Sequence, residues 1–265
     1  MTTTIEEGVG TRRSEIRRVP LSRAVRVELR KMFDTRSGFW LMASIAITGL
    51  VATGATIAFA PDTELTYYTF TKTIGYPVTV LLPMIALLSI TGEWSQRSGL
   101  TTFTLVPNRS RVILAKTISS IAVAVASMLF AFVVGAVGNV AGSTIAGTSL
   151  VWDVSIAHGA TIVLGNLLCL LTGTMLGMLI RNSPGALVAY FVYALLLPNI
   201  FGFLAASQHS FQDLRPWVDF SLAQAALFEG TMSGTQWAHV ATTVATWLVL
   251  PGVFGLRQVM RAEVK

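Results

Sequence analysis

Residues 156–206 read IAHGATIVLGNLLCLLTGTMLGMLI, then RNSP, then GALVAYFVYALLLPNIFGFLAA. The two long pieces contain no Lys, Arg, Asp or Glu. Each exceeds the roughly 20 residues that a helix rising about 1.5 Å per residue needs to cross a lipid hydrocarbon core. Only Arg181-Asn182-Ser183-Pro184 separates them, which leaves room for nothing but a tight reversal. The two segments therefore read as antiparallel membrane spans.

The same kind of stretch recurs near Phe39–Ala60, Thr73–Gly92, Thr117–Val140 and Trp237–Leu256, again free of charged side chains. With Ile156–Ile180 and Gly185–Ala206 this makes six spans. Composition agrees: 53% of residues are hydrophobic and only 12% charged, too few to clothe a soluble surface. The expected fold is an all-α integral membrane protein of six transmembrane helices.

Basic residues set the expected orientation. Nine Lys/Arg fall in residues 1–37, four in 93–116, one in the 181–184 turn and three after residue 256, so 17 of 19 lie at one face. The opposite loops hold Lys72 and Arg215 beside six acids: Asp62, Glu64, Asp153, Asp213, Asp219 and Glu229. Both termini and the loop at Glu93 are thus expected in the cytoplasm. The net charge of +6 is this topological bias, together with attraction to anionic headgroups, and not a nucleic-acid footprint.

Four regions follow. Residues 1–19 are an aperiodic polar stretch expected to form a flexible cytoplasmic tail. Residues 20–37 open at Pro20 and place Leu21, Val25, Leu29, Met32 and Phe33 on one stripe, with Arg23, Arg26, Arg30 and Lys31 on other faces. That pattern predicts an amphipathic helix in the headgroup plane, with Gly38 at the bend into the first span. Residues 38–257 are the six-helix transmembrane domain, and 258–265 a cytoplasmic tail. The first apolar run begins near residue 39, so the first span is expected to direct insertion without a cleavable leader.

Inside the spans the informative residues are few. Pro77 and Pro83 predict a bend in the second span. Gly135 and Gly138 in the third, and Gly173-xxx-Gly177 in the fourth, predict close helix approach, more readily within one chain than between two. Asn166 and Asn199 are costly polar residues suited to interhelical hydrogen bonds, and Cys169, the single cysteine, reads as a packing residue. In the 207–236 loop, Asp219-Phe220-Ser221 predicts the start of a short helix through Phe228, ended by Gly230.

Chemistry requiring clustered ionisable groups is not encoded. The dipeptide Gly-Lys never occurs, so no phosphate-binding loop is present. His158, His209 and His239 are scattered, which disfavours a metal centre. Gly230-Thr231-Met232-Ser233-Gly234 with His239 superficially suggests a serine hydrolase, but a serine in a Gly-rich turn before a helix is commonplace. The chain is expected to be no enzyme. The charge-free spans also disfavour a proton- or ion-coupled carrier, which usually senses its ion with ionisable groups inside the membrane.

The remaining distinctive segment is the polar island Glu93-Trp94-Ser95-Gln96-Arg97-Ser98-Gly99-Leu100-Thr101-Thr102-Phe103-Thr104-Leu105-Val106-Pro107-Asn108-Arg109, followed by Arg111 and Lys116. Glu93 near a helix start with Arg97 as its i,i+4 partner, Gly99 ending the turn, Leu100 and Phe103 as an apolar side, and Pro107 as a stop would make a stiff knob. The segment resembles the cytoplasmic loop of the type-2 ATP-binding-cassette (ABC) exporter permeases, where an acid, a Gly-Thr-like pair, a Pro-x-Arg and a later Lys recur at about this spacing. The resemblance implies a permease subunit without cofactor of its own, in a bacterial plasma (inner) membrane. ATP and Mg would be held by two copies of a separate ATP-binding subunit, and a second permease subunit would complete the transporter.

By the same resemblance Glu93, Arg97, Gly99, Leu100, Phe103, Pro107 and Arg109 would form the coupling element, and Arg26, Arg30 and Lys31 would lie on the connecting helix. An ion pair between Glu93 and a base of that helix, such as Arg30, is expected. The second and fifth spans would line the substrate path, which places Asn199, Phe191, Phe201 and Phe203 beside an amphipathic or hydrophobic cargo (drug, antibiotic, peptide or lipid-like). An ion-coupled carrier and a non-transporting membrane scaffold are the alternative readings.

Overall fold

A computed structural model describes residues 20–95 and 109–261, apart from the side chains of Ser37 and Arg109. Among these residues the chain is helical, without strands. The helices are α1 (Leu21–Asp34), α2 (Arg36–Phe59), α3 (Tyr67–Ser95), α4 (Arg109–Ala146), α5 (Ile156–Ile180), α6 (Ser183–Ser207), α7 (His209–Val218), α8 (Phe220–Ala225) and α9 (Gly234–Arg261). Six of them, α2 to α6 and α9, are long and apolar enough to cross a membrane. Residues 1–19, 96–108 and 262–265, and with them the expected tail and most of the expected coupling element, lie outside the described residues.

Local sequence explains the boundaries. Pro20 precedes α1, and Thr35 caps α2 by accepting from the Gly38 N–H. The break therefore falls a turn before Gly38, whose role is close approach: a Cβ there would collide with the Met32 carbonyl. In the RNSP reversal, Arg181 takes a left-handed conformation (φ 51°) and its N–H closes α5 on Gly177 O. Asn182 then caps α6 by accepting from Gly185 N at 2.9 Å, with Pro184 in the first turn.

α5 is the central post. Of its most apolar window 61% is buried, against 44% for α3 and 6% for α6. α3 and α5 form the closest-packed pair, because Gly173 sits directly on the Pro83 carbonyl and Gly177 on Leu87 and Ile90. Gly135, Gly138 and Gly142 of α4 face Thr71, Thr53 and Phe70 in the same way. The small-residue spacing thus serves packing within the chain. One apolar cluster joins Ile45, Val78, Leu82, Met128 and Leu170 from α2 to α5. Another joins Leu87, Met175, Tyr190, Phe220, Leu227 and Leu248 across α3, α5, α6, the α8 region and α9.

Prolines act differently in different spans. Pro77 and Pro83 stand inside α3, which continues through both. In α6 and α9 the helix widens to one π-turn, Val192–Leu196 and Ala245–Val249, each immediately before a Leu-Pro pair (Leu197-Pro198, Leu250-Pro251). Widening moves the carbonyl four residues upstream away from the pyrrolidine ring, which would otherwise strike it. The segment after Asp219 forms α8, with Asp219 Oδ1 accepting from Leu222 N at 3.1 Å, and a 3₁₀ turn carries it to Phe228. Ser233 is occupied as the N-cap of α9, in a reciprocal capping box with Gln236.

Candidate functional site: a buried ion cluster and a cavity

α1 packs across the start of α4, where Ile113 meets Ile90 of α3, Met178 of α5 and Val259 of α9. At that end four charged side chains meet. Lys116 of α4 gives 2.6 Å to Glu28 Oε2 and 3.2 Å to Glu93 Oε1. Lys31, one turn beyond Glu28 on α1, gives 2.7 Å to Glu28 Oε1 and 3.8 Å to Glu93 Oε1. Two acids and two bases balance, but the burial is uneven: Lys116 and Glu93 are 3% and 5% exposed, whereas Lys31 is 47% exposed.

Charges this deep lose hydration, and an ion pair in such a place holds only while every member is present. Removing one partner typically costs about 3–5 kcal/mol, because the other charge stays behind unpaired. Lys116 directs its short hydrogen bond to Glu28, while the Glu93 carboxylate meets it as an ion pair without a well-directed hydrogen bond among the described residues. Hydroxyl contacts extend the wiring. Ser119 of α4 donates to Val25 O of α1 at 3.1 Å. Ser183, at the start of α6, lies 2.8 Å from Thr91 Oγ1 and 2.9 Å from Ser95 Oγ. α1, α4, α3 and α6 are thereby tied in series as far as Ser95, the last described residue before position 96.

Several expected site residues fall differently. Glu93 lies in the last turn of α3, not near a helix start, and the second half of its expected i,i+4 pair, Arg97, is outside the described residues. So are Gly99, Leu100, Phe103 and Pro107, while Arg109 opens α4. Arg30 does not reach Glu93: it projects outward beside Asp34 at 3.8 Å, and Arg26 is exposed. Lys31 and Lys116 take the place expected for Arg30. Lys116 is part of α4, whose described helix begins at Arg109 and not at Thr117.

Glu28 is the residue that sequence reading passed over. It stands three residues after Val25 and four before Met32, on the stripe that otherwise holds apolar side chains. An acid on that stripe, with a lone Lys among Val112, Ile113 and Ala115 of α4, is the signal for a buried pair.

The substrate-path residues also separate. Phe191 and Phe203 of α6 are exposed, Phe201 stacks near Phe211 and Trp247, and Asn199 is exposed with its amide donating to Leu195 O of its own helix. Among the described residues Asn199 makes no interhelical bond; it satisfies a carbonyl within the π-turn. Asn166 is interhelical, accepting from Thr79 Oγ1 at 3.2 Å. It faces a partly open cavity of about 380 Å³ lined by α3, α5, α6 and α8. Cys169 lies on the same wall, with Gln224 Nε2 2.8 Å from its Sγ.

The arrangement defines a helical bundle with six helices fit to span a membrane, a charged knot at one end and a cavity toward the other. No family model and no curated protein matches the chain.

Proposed function

We propose that the chain is the permease subunit of an ATP-driven exporter of the ABC type, with the α1 end of the bundle in the cytoplasm and α1 lying at the membrane interface. The observation that carries this reading is the buried cluster of Glu28, Glu93 and Lys116, which ties α1 to two spans at the base of the 96–108 segment. A force applied to that segment or to α1 by a docked ATPase would pass into α3 and α4 without a hinge. The spare acceptor capacity of Glu93 suits it to a donor from the coupling element. Charge-free span interiors support an external motor over an internal ion site. ATP and Mg belong to the partner, and a second permease subunit completes the transporter.

The test is co-purification from the native host in mild detergent. An ATP-binding subunit is expected to accompany the chain. Glu93→Gln keeps the shape of the buried side chain and leaves Lys116 paired with Glu28. It is expected to lower transport-coupled ATP hydrolysis severalfold, with thermal unfolding of the variant measured alongside to separate lost coupling from lost stability. Purification without any ATPase, together with transport driven by an ion gradient alone, would refute the reading.

A further inference from the structure

We propose that the cavity between α3, α5, α6 and α8 is a binding site for an uncharged aromatic compound carrying one hydrogen-bonding group. Its volume, about 380 Å³, lies in the range of about 300–1,000 Å³ usual for small-molecule pockets. Tyr76, Tyr190, Tyr193, Phe220 and Phe228 contribute to its walls, so a guest would meet ring faces and edges alongside aliphatic side chains such as Val80, Pro83 and Leu195.

The hydrogen-bonding inventory sets the ligand's polarity. Thr79 donates to Gly75 O at 2.9 Å and to Asn166 Oδ1 at 3.2 Å, and Asn166 donates to Ile162 O at 3.0 Å. Tyr190 donates to Val80 O at 3.3 Å, and Gln224 to Gly165 O at 2.6 Å. These groups already have partners in the protein and ask for none from a guest. The Tyr193 hydroxyl is buried without a well-directed hydrogen bond among the described residues. Thr172 beside it gives its own proton to Leu168 O, so the Thr172 oxygen is left to receive the Tyr193 proton and the Tyr193 oxygen is free to accept from a guest.

The lining carries two charges, Lys72 and Glu229, both exposed, opposite in sign and in no ion pair among the described residues. They give the rim no net sign with which to select an anion or a cation. A charged body inside would lose its hydration to rings and aliphatic walls.

Binding needs only this chain; that the bound compound is also the exported one rests on the exporter reading. The probe is N-phenyl-1-naphthylamine, uncharged and with a single amine N–H, titrated against the purified chain in lipid nanodiscs. Energy transfer from tryptophan reports on it, since the Trp247 ring lies 5.8 Å from that of Tyr193. Saturable transfer is expected, with the sulfonated analogue 1-anilino-8-naphthalenesulfonate at least tenfold weaker. Gly75 lines the cavity, and a Cβ there meets nothing within 4 Å, so the side chain of Gly75→Leu starts into open space at the cavity wall and should abolish the saturable signal. Tyr193→Phe removes a hydroxyl that makes no well-directed hydrogen bond in the fold and should weaken binding roughly 2- to 10-fold, the usual range for one hydrogen bond.

Transfer that Gly75→Leu leaves unchanged would overturn the proposal. So would equal binding of the sulfonate, or displacement of the probe by dodecanol as readily as by 1-naphthol, which would mark the cavity as a slot for an aliphatic tail. None of these failures bears on whether an ATPase co-purifies.

Discussion

At the scale of one residue, Glu28 shows how a buried acid is kept charged. Burial pushes its carboxyl up, but the Lys116 charge, with hydrogen bonds from Lys116 and Lys31, outweighs that and holds it below its ordinary value of 4.5. A carboxyl so held binds its proton less readily when folded than when unfolded. Its stabilising contribution is therefore complete above about pH 4.5 and is lost as the pH falls through the lower, folded value. Thermal unfolding in detergent from pH 7 to pH 3 should show this as a difference between wild type and Glu28→Gln. Wild type is expected to be the more stable at pH 7, and the gap should shrink only below about pH 4.5; a constant gap would mean that the carboxylate charge contributes nothing. A base on α1 facing Glu93 is legible in the sequence, whereas the choice of Lys31 over Arg30 is not. Neighbouring helical residues point about 100° apart, and which one faces inward is fixed by where Met32 and Glu28 are buried. That burial depends on α4, whose first turns read in the sequence as loop.

At the scale of elements, the spans were readable because a bilayer demands length and an absence of charge, and both are properties of one segment taken alone. Cavity walls and helix partners are properties of several segments together. Asn199 and Asn166 illustrate the difference. Both are amides in apolar helices, but Asn199 bonds back to Leu195 within a π-turn while Asn166 reaches across to Thr79. Pro198, directly before Asn199, is the one flanking signal, since a proline frees backbone carbonyls that an amide can satisfy. That Asn166 reaches Thr79 depends on which face of α5 meets α3. The Gly173-xxx-Gly177 pair is more informative, because glycine spacing implies a backbone neighbour even when it does not name one. Here the neighbour is the rigid Pro83 segment, which has no side-chain end that could swing aside. Gly173→Ala should therefore destabilise by more than the usual overpacking cost of about 1–3 kcal/mol, whereas Gly54→Ala, where a Cβ meets nothing within 4 Å, should be neutral or slightly stabilising. Comparing unfolding temperatures of the two variants in one detergent checks the contrast, and a tolerant Gly173→Ala would show that α3 and α5 can part.

At the scale of the whole molecule, burial is distributed asymmetrically. α5 is enclosed, while α6 has only 6% of its window buried and displays Val188, Phe191, Val192, Leu195, Leu196, Ile200 and Phe203 outward. An apolar face alone is satisfied by lipid. α6, however, also displays Asn199 and contains a π-turn, features that lipid contact does not require. On the exporter reading a second permease subunit must lie against one face, and α6 is the helix with the least to lose by gaining a neighbour. Asn199 would then move from lipid to protein, where amide groups find partners. The prediction uses the single native cysteine: in a Cys169→Ala background, Phe203→Cys should form a covalent dimer on mild oxidation in native membranes. Phe59→Cys on α2, where the native ring is 85% exposed, serves as the lipid-facing control and should stay monomeric. Equal cross-linking at both positions would indicate random collision and would remove α6 as the seam. Because a heteromeric partner would leave Phe203→Cys unpaired with its own kind, the same oxidised membranes should be searched for a mixed species of a second permease before α6 is abandoned.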